Sequence, residues 1–139
     1  MAKSSPFSMR LSERSDALVS EEARRTRRSK GAVVEALAEE ALRARLFAGI
    51  AFRGADWDRR PWVIGTALDV WQIVDAYGDF GSVEAMVAEG NLSERQVGLA
   101  LAYHERFPEE VDEAIALNRR SLAELRERHP SIDVSVAGD

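Results

Sequence analysis

Apolar and polar residues alternate at the start of the chain, where Phe7, Met9 and Leu11 interleave with Ser8, Arg10 and Ser12. A period of two predicts a half-buried strand over residues 7–12, with its apolar side chains on one face and its polar ones on the other. The period then changes. From Ser12 or Glu13 to about Arg27 the spacing is helical, with only a weak apolar stripe at Ala17, Leu18, Glu21 and Ala23. Ser29 is placed to cap a second helix by accepting from the N–H of Gly31 or Ala32. In that helix Val33, Val34, Leu37, Ala41 and Leu42 follow helical spacing, and Glu35, Glu39, Glu40, Arg43 and Arg45 form the expected wet face. A lone strand leaves its N–H and C=O groups unpaired. The economical remedy is the same strand from a second subunit, with Met9, Leu11, Val33, Val34 and Leu37 as the dimer core.

The rest of the chain reads as a linker and a second helical module. Gly49, Gly54 and the charged run from Asp56 to Arg60 mark residues 49–60 as the linker, although Phe47, Ile50, Phe52 and Trp57 are apolar for a free tether. Residues 62–66 form a short extended piece ended by a glycine. A helix over residues 68–77 places Leu68, Trp71, Val74 and Tyr77 on one side, and residues 78–81 form a turn. Ser82 caps a short helix over residues 83–89. Ser93 and Gln96 form a capping box for a helix that runs to about Phe107 and is closed by Pro108.

A last helix from Glu109 to Arg128 repeats Val111, Ile115, Leu122 and Leu125 on one stripe, acidic at its start and basic at its end as the helix dipole favours. Two readings of that stripe stand side by side: it lies in a partner's groove, or it packs on its own domain. Residues 131–136 alternate like a strand that would add to a partner's sheet edge, or form a tail.

Residues 7–47 resemble the ribbon-helix-helix domain of bacterial antitoxins and small repressors, carried by the strand Phe7-Ser8-Met9-Arg10-Leu11-Ser12 and by Arg28-Ser29-Lys30-Gly31-Ala32-Val33-Val34-Glu35-Ala36-Leu37. Residues 60–112 are similar to a small bacterial trihelical family of unknown function. The matching residues are Ile64, Gly65, Thr66, Val70 and Trp71, then Ser82, Val83 and Glu84, then Leu92, Ser93, Gln96, Val97, Ala100, Leu101 and Tyr103. Ala67-Leu68-Asp69 stands where that family usually has Arg-Ile-Pro, which weakens a nucleic-acid role for this loop.

The two resemblances together imply a VapB-like type II antitoxin of mainly α fold. An N-terminal ribbon-helix-helix (one strand, two helices, intertwined dimer) would occupy residues 1–48. After the linker, a trihelical bundle with an added C-terminal helix would occupy residues 61–139. The implied partners are operator DNA, a second copy, and a PIN-like nuclease toxin encoded alongside.

Charge sharpens this division. Residues 1–55 hold 11 Lys/Arg and 7 Asp/Glu, a net of +4, whereas residues 56–139 hold 8 and 17, a net of −9. A basic front suits phosphate and an acidic back suits a basic protein. In the ribbon, Arg10 has the donors for a guanine edge, and Ser8 and Ser12 reach bases or phosphates. Arg28, Ser29 and Lys30 would anchor phosphate at the start of the second helix, whose free N–H groups attract anions. The run Arg24-Arg25-Thr26-Arg27-Arg28 serves either the helix dipole or DNA phosphates. In the second module, Ser93-Glu94-Arg95-Gln96 opens a helix-turn-helix-like element, but the acidity around it argues for protein contact rather than DNA.

The partner-binding stripe is expected at Val111, Ile115, Leu122 and Leu125. No run of about 18 apolar residues predicts a membrane span. The first six residues lack the apolar core of a signal peptide, and the absence of cysteine suits a reducing cytoplasm. Only His104 and His129 are present, neither with a second histidine at ligand spacing. No catalytic site, metal or cofactor is therefore expected.

Overall fold

The computed structural model describes residues 4–132 and divides into two compact units between Leu42 and Arg43. The described residues form six helices and one two-stranded antiparallel sheet: α1 (Glu13–Thr26), α2 (Lys30–Leu46), β1 (Ile50–Arg53), β2 (Arg60–Val63), α3 (Val70–Phe80), α4 (Val83–Ala88), α5 (Glu94–Arg106) and α6 (Pro108–Arg128).

The first unit is two helices with almost no core. Ser12 caps α1 by accepting from the Ser15 N–H at 3.2 Å, and Ser29 caps α2 by accepting from the Ala32 N–H at 3.1 Å. The Ser29 cap lies where the sequence puts it, whereas Ser12, expected as the end of a strand, is a helix cap instead. The strand expected over residues 7–12 is absent: these residues lie outside helix and strand. A strand is held by its ladder, and no segment described in the single chain pairs with this one. Phe7 and Met9 are consequently exposed.

Of the five expected dimer-core residues, Val33 is already buried within the chain, Val34 and Leu11 are half-buried, and Met9 and Leu37 are exposed. α1 buries no residue and α2 buries only Val33. The sequence of α2 also departs from the expected stripe. At 100° per residue, Ala32, Val33, Val34, Ala36, Leu37, Ala38, Ala41, Leu42 and Ala44 surround the helix on all sides. Lys30, Glu35, Glu39, Glu40, Arg43 and Arg45 are spread around it as well, so no single face of α2 is purely apolar.

The second unit is a helical bundle closed at one end by the sheet. The stretch expected to be a linker carries β1 and the hairpin loop instead. Ile50 pairs with Val63 and Arg53 with Arg60, and Ile50 and Val63 are both buried. Their apolar side chains belong to one core with Val70, Ile73, Val74, Met86, Val97, Ala100, Tyr103 and Val111. Of the four apolar residues that looked wrong for a tether, Ile50 is in this core and Phe47 and Phe52 pack on it, whereas Trp57 stands exposed.

Two helix ends differ from expectation. α3 runs through the expected turn to Phe80, because Gly81, at φ 80°, supplies the left-handed cap one residue later. Pro108 does not merely close α5; it is the first residue of α6, where its missing N–H is no loss. Ser82 and the Ser93–Gln96 capping box act as expected. Val111 is buried and Ile115 packs on the core, so this half of the expected partner-binding stripe packs on its own domain; Leu122 is half-buried and Leu125 exposed. Most of the alternation over residues 131–136 lies outside the described residues. No helix described is long and apolar enough to cross a membrane.

Candidate nucleic-acid interface

Residues 24–30 hold five basic side chains and no acidic one. They span the end of α1, the turn, and the start of α2. The turn is tight because Arg27 takes the left-handed conformation (φ 56°, ψ 40°), and the Arg28 N–H then reaches back to the Ala23 carbonyl at 3.1 Å. Arg27 is the one non-glycine residue with positive φ among those described. Glycine or asparagine is the usual occupant of such a cap, and an arginine there costs about 1 kcal/mol of backbone strain. The strain places a charge at the apex of the turn.

The expected contact residues divide as follows. Ser8 and Arg10 are exposed on the segment before α1. The Ser12 hydroxyl is engaged as the α1 cap and with the Ser15 hydroxyl at 3.1 Å, so it is a structural cap before it is a contact. Ser29 likewise gives its side chain to the Ala32 N–H. That leaves the N–H groups of Lys30 and Gly31 outward at the positive end of the 17-residue α2. Lys30 donates to Asp16 Oδ1 at 2.6 Å, but both side chains are about half exposed. A pair so wet holds weakly and exchanges readily for phosphate. Arg25 pairs with Glu22 on its own helix. Arg10, Arg24 and Arg27 form no ion pair among the described residues and stand exposed. The structure thus gathers Arg24, Arg27, Arg28, Ser29 and Lys30 around one turn. It does not bring Ser8, Arg10 and Ser12 into a ribbon within the single chain.

Two further charged constellations belong to the second unit and are read with difficulty from sequence. Arg43, expected on a wet face, donates through Nη1 to Tyr103 Oη at 2.9 Å and to Glu110 Oε2 at 2.7 Å, with its guanidinium 3.9 Å from the Phe107 ring centroid. Tyr103 in turn donates to Glu110 Oε1 at 2.5 Å. Burial lowers the Arg43 pKa, but the bonds to Glu110 and Tyr103 outweigh it, and the net shift is upward. Burial pushes the Tyr103 phenol well above its ordinary value, and the bond to Glu110 adds to that.

The second constellation centres on Asp69, which is 5% exposed. It accepts from Arg53 Nε at 2.9 Å and from Arg60 Nε at 2.8 Å, while its own N–H donates to Gln72 Oε1 at the start of α3. The Arg60 pKa is raised, first by its hydrogen bond to Asp58 and then by Asp69. Asp69 stands in the loop where the trihelical resemblance departs from its pattern. Both guanidiniums are satisfied inside the unit, so this arginine pair is a clamp on the loop rather than a free phosphate site.

His104 lies 2.8 Å from Asp112 with no third ligand. Among the described residues no group of three or more His, Cys, Asp or Glu is placed to hold a metal. No family model, curated protein or solved structure matches the chain, so any functional reading stands on the residues themselves.

Proposed function

We propose that the chain is a DNA-binding antitoxin that acts as a dimer. Two copies pair residues 7–12 as an antiparallel ribbon, enclosing Phe7, Met9, Leu18, Leu37 and Leu42, all exposed in the single chain. The ribbon presents Ser8 and Arg10 to base edges. Arg24, Arg27, Arg28, Lys30 and the free N–H groups of α2 hold phosphates on either side. The observation that carries this reading is the combination in the first unit: Phe7, Met9, Leu18, Leu37 and Leu42 left in water with one residue buried in α2, beside a turn of five basic residues without an acidic one. An incomplete core asks for a second copy, and the charge asks for a polyanion.

The second unit, net −6 over residues 43–139 from 11 Lys/Arg and 17 Asp/Glu, would hold a PIN-like nuclease, and DNA binding would repress the operon encoding both. A gel-shift titration with DNA from upstream of the gene tests the DNA arm. The expected result is a shift that weakens steeply as salt rises, with sequence preference lost in Arg10→Ala; an unshifted probe at low salt contradicts it. Pull-down of the neighbouring gene product tests the toxin arm. One observation favours a second reading, a free-standing repressor without a nuclease: Val111 and Ile115, half of the expected toxin-binding stripe, are committed to the chain's own core.

A further inference from the structure

The two helices of the first unit treat their positive ends differently. α1 carries Glu13 and Asp16 in its first turn, as the helix dipole favours. α2 has no acidic residue in its first turn and opens on Lys30-Gly31-Ala32. The carboxylate that the start of α2 lacks comes from the other helix. Lys30 Nζ donates to Asp16 Oδ1 at 2.6 Å, 14 positions away in the chain. Neither residue forms another ion pair among those described. Asp16 thus engages the ammonium that the DNA-binding reading gives to a phosphate. Both side chains are about half exposed, so water screens the pair and a competing anion can displace the carboxylate at small cost. The surface beside them is open: nothing lies within 4 Å of where a Cβ on Gly31 would stand.

We propose that Asp16 is a built-in competitor for DNA, whose carboxylate holds Lys30 in the free protein and yields it to a backbone phosphate on binding. The inference rests on the reading of the first unit as a DNA-binding surface, and adds to it a residue that sets the strength of binding. In the free chain the pair offsets one charge of a turn with five basic residues between positions 24 and 30. On binding, a phosphate takes the ammonium and Asp16 is left in water near a like charge. Each complex therefore forms at the expense of the pair, and the affinity is lower than the basic turn alone would give.

The test is a fluorescence anisotropy titration of the full chain against labelled duplex from upstream of the gene, at low salt. Wild type, Asp16→Asn, Lys30→Ala and the double variant form a cycle. Asp16→Asn should bind about threefold more tightly than wild type, the reach of one exposed ion pair. That gain should fall below about 1.5-fold once Lys30→Ala has removed the partner, since the cycle isolates what Asp16 does through Lys30. An equal gain with and without Lys30 would show that Asp16 acts as a bare charge, and would overturn the proposal. So would Asp16→Asn binding no better than wild type. Both of those results leave DNA binding by the first unit standing. No binding by any of the four proteins would instead strike the DNA-binding reading, and this inference with it.

Discussion

The two units use similar helices to opposite effect. In the second, Ile50, Val63, Val70, Ile73, Val97, Ala100, Tyr103 and Val111 meet in one core, and the charged residues that enter it, Asp69 and Arg43, arrive with partners. In the first, Val33 is the only buried residue described, and leucines at 18, 37 and 42 face water. Helix formation alone is marginal at this length and draws most of its stability from packing. The comparison teaches that the second unit closes a core within one chain, whereas the first leaves most of its large apolar side chains in water. The proposed dimer would cover them.

The largest effect expected on this contrast comes from the second unit. Asp69→Ala removes the buried acceptor that Arg53 and Arg60 share, leaving Arg53 only the Ala67 carbonyl and Arg60 only Asp58, and should lower the unfolding free energy by about 3 kcal/mol in a denaturant titration. This loss should not vary with protein concentration. In the first unit, Leu37 and Met9 are exposed in the single chain, and Leu37→Ala and Met9→Ala should each cost under about 0.5 kcal/mol if it stands alone. Within a paired core each should cost about 2 kcal/mol, with an unfolding midpoint that rises with protein concentration. The concentration dependence separates the two cases.

A pH titration sharpens the same contrast at Tyr103. Its folded pKa is raised above the ordinary 10.0. Its proton therefore contributes stability in full below pH 10 and progressively less as pH climbs above that value. In a Tyr77→Phe chain, the phenolate absorbance should appear together with loss of the second unit's fold rather than before it. The smallest effects concern the turn. Ser29→Ala should cost about 1 kcal/mol of helix stability, recovered in part by Ser29→Asp. Arg27→Gly should relieve the left-handed strain and raise stability by up to about 1 kcal/mol while weakening DNA binding. A stabler variant that binds equally well would show that the arginine has no role there.

What could be read from the sequence follows how local each determinant is. The caps at Ser29 and Ser82 and the Ser93–Gln96 box act over three residues, so the sequence alone locates them. The hairpin was hidden because its two strands are only four residues each and its loop is charged, which looks like a linker until Ile50 and Val63 are seen facing one core. Arg43 looked like a solvent-facing charge because its partners, Tyr103 and Glu110, lie 60 and 67 positions away. The same holds for Lys30 and Asp16, and for the guanidiniums on Asp69. Around the candidate interface, the basic run was plain in the sequence. The left-handed arginine at its apex was not, since nothing local demands it.

The central claim is that the first unit is completed by a second copy, and the mass of the chain in solution tests it most directly. Sedimentation equilibrium should give twice the chain mass, falling to a single chain in Leu37→Asp while the second unit's unfolding transition stays unchanged. A wild-type chain that sediments as a monomer at every concentration, with helices α1 and α2 still formed, would contradict it.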